Sequence, residues 1–545
     1  MLRPLLVAFA LTAAAAASAQ QAPDISLDTL KTVTETLSSD AFEGRAPTTP
    51  AETRTTDYIV ERFKAAGLQP GNHGSWFQDV PLVEITAQNV APITITGGKT
   101  PLAFAYRTDM VVATYRVVPR IDVKDSDMVF VGYGINAPER GWNDYAGVDV
   151  KGKTVVILVN DPDWETAGKD GPFDGRAMTY YGRWTYKYEE AARQGAAAAI
   201  IVHQTAPASY GWNVVQSSWT GPQLELDAEG DHMDQSQAIG WVQLDAAKRL
   251  FASAGKDFDR LAQAAKHKGF KAVPLGVKAR FAFDNTIKRQ ASKNVIGILP
   301  GTARPQETVF YTAHWDHLGH CDPVDGDGIC NGALDNASGI AGLVAIAEAQ
   351  AKAGPTARTL AFMAVTAEES GLLGSRYYAE HPIYPLGLTV GGVNMDVLNV
   401  NGRTRNFVVT GYGKSELDDL IVPLAQAEGR RVEPEAHPER GGYYRSDHFS
   451  FAKLGVPMLD AGSGEDLVKG GTAAGEAAAK DYGEHRYHQP ADEYDPAWDW
   501  SGAIDDLTIY YRLGRELAEG DAWPTWRPDA EFRAIRERSR AAVAQ

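Results

Sequence analysis

From Asn294 onward, short runs of consecutive apolar residues alternate with stretches in which apolar positions recur every three or four residues. The runs Asn294 to Ile298, Thr308 to Thr312, Arg358 to Thr366, Val390 to Met395 and Phe407 to Thr410 read as buried strands, and Ile340 to Lys352 and Lys414 to Ala427 as helices. This alternation predicts an α/β fold, a mixed and mostly parallel sheet with helices on both faces. Ligands of such sheets gather at the carboxyl ends of strands, so chemistry is to be sought there.

Ahead of this segment, Ser26 to Ser38 and Glu52 to Ala66 have helical texture, separated by the turn-like Phe42-Glu43-Gly44-Arg45-Ala46-Pro47. On the second helix Tyr58, Ile59, Phe63 and Ala66 fall close to a helical period, which predicts packing on a core. Between about Val90 and Ser292 the texture changes to short apolar runs among many Gly and Pro residues. There, Met128 to Tyr133 is a short apolar run, Thr154 to Val159 and Ala197 to His203 read as buried strands, and Tyr188 to Gln194 as a helix. The chain is long for a single core, so at least two domains are expected. Residues 24–90 with 290–520 form one, discontinuous in sequence, and 91–289 form a β-rich insertion. Ala473 to Ala479 reads as a solvent loop, and the tail 521–545 as helical with mixed charge.

Residues 1–19 have the form of a secretory signal: Arg3, an apolar stretch from Leu5 to about Ala16, then Ala17-Ser18-Ala19. Cleavage after Ala19 and a periplasmic or extracellular location are expected. No membrane anchor is expected, because the apolar run is short against about 30 Å of hydrocarbon. A net charge of −17 argues against nucleic acid or an anionic membrane surface as partner. The sequence sets no oligomeric state. Cys321 and Cys330 are the only cysteines, in a loop rich in Asp and Gly, and a disulfide closing that loop is expected after export.

The chemistry-bearing residues stand where predicted strands end. Tyr311-Thr312-Ala313-His314-Trp315-Asp316-His317 leaves a strand with two histidines and a carboxylate; imidazole suits zinc, and an Asp can orient a ligating His. Asp335 stands in a Gly-flanked turn before a helix, where an Asp is equally a cap. Ala367-Glu368-Glu369-Ser370-Gly371 follows another strand, and adjacent buried carboxylates are costly without a cation between them. With a metal, one Glu ligates while its neighbour takes a proton from water. Asp396 closes the strand from Val390, while Ser446-Asp447-His448-Phe449 and Tyr487-His488-Gln489-Pro490-Ala491-Asp492 add two loop histidines.

The order His, Asp, Glu-Glu, Asp, His resembles the co-catalytic zinc aminopeptidase and glutamate carboxypeptidase family. The resemblance implies two zinc ions bridged by Asp335, with His314 and Asp396 completing one site and Glu369 and His488 the other. It also implies Glu368 as general base, Asp316 as the group orienting His314, and Tyr487 as an oxyanion donor. Ser446, Asp447 and His448 then support the site, and His317 shapes the pocket, although spacing leaves an exchange with His314 open. The Cys321-to-Cys330 loop is an addition relative to short family members; its Asp322, Asp325 and Asp327 lack the closing Glu of an EF-hand and read as surface.

Within the insertion, Val131-Gly132-Tyr133-Gly134-Ile135, Trp142-Asn143-Asp144-Tyr145, Val150-Lys151-Gly152-Lys153, Tyr181-Gly182-Arg183 and Gly195-Ala196-Ala197 resemble a protease-associated domain, at about 125–275. Such modules cover an active site or restrict entry. The implied activity is that of an exported zinc exopeptidase acting on peptides, first of all an aminopeptidase. A carboxypeptidase or dipeptidase with the same core is the rival and needs a cation for the substrate's terminal carboxylate, for which Arg445 and Arg376 are candidates. A glutaminyl cyclase would use one zinc, and a non-catalytic binding protein on this scaffold would need neither the five ligands nor Glu368.

Overall fold

The computed structural model describes residues 23–168 and 170–543; the expected signal segment 1–19 lies outside them. Among the described residues no helix is long and apolar enough to cross a membrane.

The sheet is centred on the strand Arg304–His314, which lies parallel between Arg358–Val365 and Thr389–Asn394. Beyond Arg358–Val365 come the antiparallel strands Val273–Leu299 and Phe77–Gln88. Beyond Thr389–Asn394 come Met458–Ser463 in parallel, then Asn406–Val409 antiparallel to it, and Arg431–Pro434. From Thr308 to His314 and along both parallel neighbours the central strands are buried, because both faces are covered. Val309, Tyr311 and Ala313 pack under the helices Leu27–Leu37, Pro50–Ala65, Gly339–Ala353 and Ser501–Glu519. Phe310, Ala361 and Met363 point the other way, onto Tyr378 and Phe451 of the helices Leu373–Glu380 and His448–Lys453. The expected mixed, mostly parallel sheet with helices on both faces is what the chain forms.

The N-terminal helices begin at residues suited to it. Ser26 caps Leu27–Leu37 by accepting the Thr29 N–H, and Pro50 opens Pro50–Ala65, where its missing N–H costs nothing. The chain leaves Arg304–His314 through Gly339–Ala353 to one neighbouring strand, then through Leu373–Glu380 to the other. Strand order reverses there, which opens a crevice at the carboxyl ends of all three.

The insertion has its own parallel strands Thr154–Leu158, Ala198–His203 and Ala238–Gln243, edged by Met110–Ala113, with a core of its own around Val155, Ile157 and Trp241 and a second, around Phe130, Val156 and Phe251, that continues into Tyr443, Tyr444 and Phe449. Its expected helix begins earlier, at Trp184, and ends at Arg193. The expected boundary at 289/290 falls inside the continuous strand Val273–Leu299, whose first part pairs with Arg120–Phe130 and whose last part pairs with Arg358–Val365. The two units therefore share a strand, without a linker there.

Ala473 to Ala479 is not a loop: it lies within the helix Gly471–His485, because alanine loses no side-chain entropy in a helix even without a core to face. The tail forms the helix Arg533–Val543 and is anchored by Arg536, which donates to the Leu386 and Val390 carbonyls at 3.2 and 3.1 Å. Cys321 and Cys330 are bonded and tie the hairpin Gly319–Val324/Asp327–Cys330.

Candidate metal centre

The three strand ends and two loops bring imidazoles and carboxylates to one place. His314 Nε2 lies 3.1 Å from Asp396 Oδ1 and 3.3 Å from Asp335 Oδ1. His488 Nε2 lies 3.4 Å from Asp335 Oδ2 and 3.0 Å from Glu369 Oε2, and His317 Nδ1 lies 2.7 Å from Glu369 Oε1. Asp335 thus turns one oxygen to each of two groups. The atoms of His314, Asp335 and Asp396, and those of His317, Asp335 and Glu369, each lie within 4.8 Å of one another. His317 therefore stands beside Glu369 and His488 rather than in the place of His314.

The backbone turns sharply beside these side chains. Ala367, Val397 and His488 have φ of 53°, 64° and 59°, a region that side-chain-bearing residues seldom adopt. Asp492, at the end of the Tyr487 motif, accepts the Leu334 and Asp335 N–H groups at 3.0 Å each and so fixes the Asp335 loop. Ser446 donates to Asp396 Oδ2 at 2.6 Å and accepts from the Asn394 amide at 2.7 Å. Asp316 acts differently from the expectation. Its backbone carbonyl faces His314 Nδ1 at 3.1 Å, whereas its carboxylate, 3.8 Å from that atom, accepts the Glu368 and Glu369 N–H groups at 3.1 and 3.4 Å.

Sequence reading missed Arg45. Fully buried, it donates from Nε to the Trp315 carbonyl at 2.9 Å, and from its terminal nitrogens to Leu37, Asn331 and Gly332 carbonyls at 2.7, 2.6 and 2.8 Å. It joins the loop after His314 to the loop before Asp335. The only signal in the sequence is Gly44-Arg45 in a tight turn; Gly44 has φ +66°, and a Cβ there would meet the Cys330 carbonyl oxygen at 2.5 Å.

Burial pushes the Glu368 carboxyl well above its ordinary range, and the charges of Asp396 and Glu369 add to it. Burial likewise raises Asp316 to about 7. Burial alone would lower the His488 imidazole, but the adjacent carboxylates of Asp335 and Glu369 carry it up to about 10. The carboxylates thus draw protons onto the histidines, a demand that divalent cations meet. His317 Nδ1, His488 Nε2 and Glu369 Oε1 are buried without a hydrogen bond despite their proximity, as expected of ligand atoms aimed at a common point. Mixed imidazole and carboxylate donors suit zinc.

Tyr487 sits at the rim, 46% exposed, with its ring stacked on His488 at 3.9 Å between centroids. His448 is buried against Tyr443 and 3.7 Å from Asp460, outside both ligand groups.

Residues 294–511 match the family model described as peptidase family M28. That segment belongs to peptidase family M28. The M28 segment contains every expected ligand together with Asp316, Ser446 and Asp492; Arg45 reaches it from the N-terminal helices. The mouse (Mus musculus) aminopeptidase NAALADL1 is 31% identical over 130 residues, covering 23% of this chain and 16% of that protein. Aminopeptidase YwaD of Bacillus subtilis strain 168 is 36% identical over 93 residues, covering 17% of this chain and 18% of that protein. The chain thus spans less than a fifth of the length of these curated relatives. A solved aminopeptidase from Aneurinibacillus sp. strain AM-1 is 21% identical, with 93% of this chain and 95% of that chain covered at a TM-score of 0.48.

Proposed function

We propose that the protein is an exported aminopeptidase that hydrolyses N-terminal peptide bonds at a centre of two zinc ions. The observation that carries this reading is the placement of Asp335, one oxygen toward His314 and Asp396 and the other toward Glu369 and His488. Zinc held by these residues would polarise the scissile carbonyl and make water acidic enough to react near neutral pH.

The remaining steps belong to the chain. Glu368 takes the proton of the attacking water and passes it to the departing amine, a task suited to a carboxyl raised by burial and neighbouring acids. Asp316 fixes the Glu368–Glu369 turn through both amides, so base and ligand keep their relative aim. Tyr487 offers its hydroxyl to the oxyanion from the rim. The insertion, of protease-associated type in this reading, walls a cleft of about 660 Å³ that includes Glu369 and His488, which favours chain ends over folded protein. The signal-like start and the Cys321–Cys330 bond support export.

Metal content and amino-acid release from unblocked and N-acetylated peptides test the reading. The expected result is two zinc ions per chain, trimming of unblocked peptides only, and a Glu368→Gln variant that keeps its metal but is slowed by at least about 100-fold. Equal cleavage of acetylated peptides would overturn it.

A further inference from the structure

Ala367, the residue before Glu368, has φ 53°, a conformation that side-chain-bearing residues keep only where their surroundings over-determine it. The M28 segment supplies part of that support. The Thr366 N–H donates to Asn294 Oδ1 at 3.0 Å, and Asp316 accepts the Glu368 and Glu369 amides. The insertion supplies the apolar packing. Its strand Pro222–Leu226 runs antiparallel to Phe77–Gln88, with Leu226 opposite Leu82, and Leu226 shares a small separate core with Val80, Leu82, Ala367 and Leu373. Leu224 and Tyr377 pack on the edge of that core.

Between Leu224 and Leu226, Glu225 is buried and pairs with Arg376 of the helix Leu373–Glu380, which begins just after the Glu368–Glu369 turn. This pairing removes Arg376 as a free cation for a substrate's terminal carboxylate. On the same helix Ser375 donates to Ser450 at 2.8 Å and so joins it to the helix His448–Lys453. The insertion grips that second helix as well: Lys453 pairs with Glu189 at 2.6 Å, and Tyr180 packs on Phe449 with centroids 5.1 Å apart. Both helices follow loops of the centre, one the loop of Glu369 and the other that of Ser446, whose hydroxyl binds Asp396.

We propose that Glu225 and Leu226 of the insertion are positioning residues that hold the Glu368–Glu369 turn in its productive aim. This rests on the peptidase reading above. Leu226 packs in the core that contains Ala367, and the Glu225–Arg376 pair fixes the helix into which the turn runs. A displacement of a catalytic group by about 1 Å costs up to about 100-fold in rate, so this support acts on turnover. A cleft wall would act on substrate affinity instead. Leu226 separates the two roles, because it is buried and, among the described residues, stands outside the lining of the cleft.

The test compares the zinc-loaded full chain with Glu225→Gln, Arg376→Ala, the double variant of these two, and Leu226→Ala, on one neutral amino-acid anilide. In each variant kcat is expected to fall about tenfold while KM stays within about twofold. The double variant is expected to lose no more than either single one, because Glu225 and Arg376 act as a pair. A loss confined to KM, or single losses that multiply in the double variant, overturns the proposal. Hydrogen exchange in the metal-free full chain needs no turnover. The amides of residues 366–373 are expected to exchange about tenfold faster in Glu225→Gln and Leu226→Ala, while those of the strand Arg304–His314 keep the wild-type rate. In these two variants, equal acceleration of both segments, or none, overturns the proposal even if the anilide is not cleaved.

Discussion

The Asp492 carboxylate accepts the Asp335 N–H at 3.0 Å, so the residue that turns one oxygen toward His314 and the other toward His488 is held by an acid 157 positions away. Asp492 also accepts the Leu334 N–H at 3.0 Å. Asp492→Ala leaves both amides buried without an acceptor and frees the Asp335 loop. Zinc affinity, measured by competition with a chelating dye, is expected to fall about 10- to 100-fold. Unaltered affinity would show that the loop holds its shape by itself.

Arg45 offers a second test, on stability. Arg45→Met keeps the apolar stem but strips hydrogen-bond donors from four buried carbonyls. The metal-free protein is expected to lose at least about 3 kcal/mol in urea unfolding. A loss under about 1 kcal/mol would mean that water reaches those carbonyls in the variant.

His317 lies 2.7 Å from Glu369, close enough to set the orientation of that carboxylate. His317→Ala should weaken zinc binding about tenfold in the half completed by Glu369 and His488. Successive release of the two ions under chelator reads this directly; two unchanged phases would reduce His317 to a packing residue.

His448 carries a pH dependence. Burial lowers its pKa from 6.5 to about 3, so the folded chain keeps it neutral while the unfolded chain protonates it. Its contribution to stability is fully present above pH 6.5 and is lost as pH falls from there toward about 3. Within that window stability should decline by up to about 1.4 kcal/mol per pH unit from this group. In His448→Asn that part of the slope disappears; an unchanged slope would assign the acid sensitivity to other groups.

The local periodicity of this chain is strong enough to be read directly. His314, Glu368, Glu369 and Asp396 each follow an apolar run, and each sits at the end of a central strand or just beyond it. Where two patterns overlap, local reading fails. The alternating residues from Leu275 to Phe283 and the apolar residues from Val295 to Ile298 look like separate elements, yet they are one strand shared by two units. Ala473 to Ala479 has too little apolar bulk to signal a face, and its helix rests on alanine's propensity alone.

The sequence by itself determined the α/β layering and the order in which imidazoles and carboxylates follow the strands, because strand burial and side-chain chemistry are written in residue type and short spacing. Only the tertiary structure decided that Asp316 serves Glu368 and Glu369 through its carboxylate, that Arg45 joins the loops after His314 and before Asp335, and that Tyr180 of the insertion packs on Phe449. Those relationships arise from strand order and from the docking of the insertion. They depend on contacts between residues far apart in the chain, which no local pattern records.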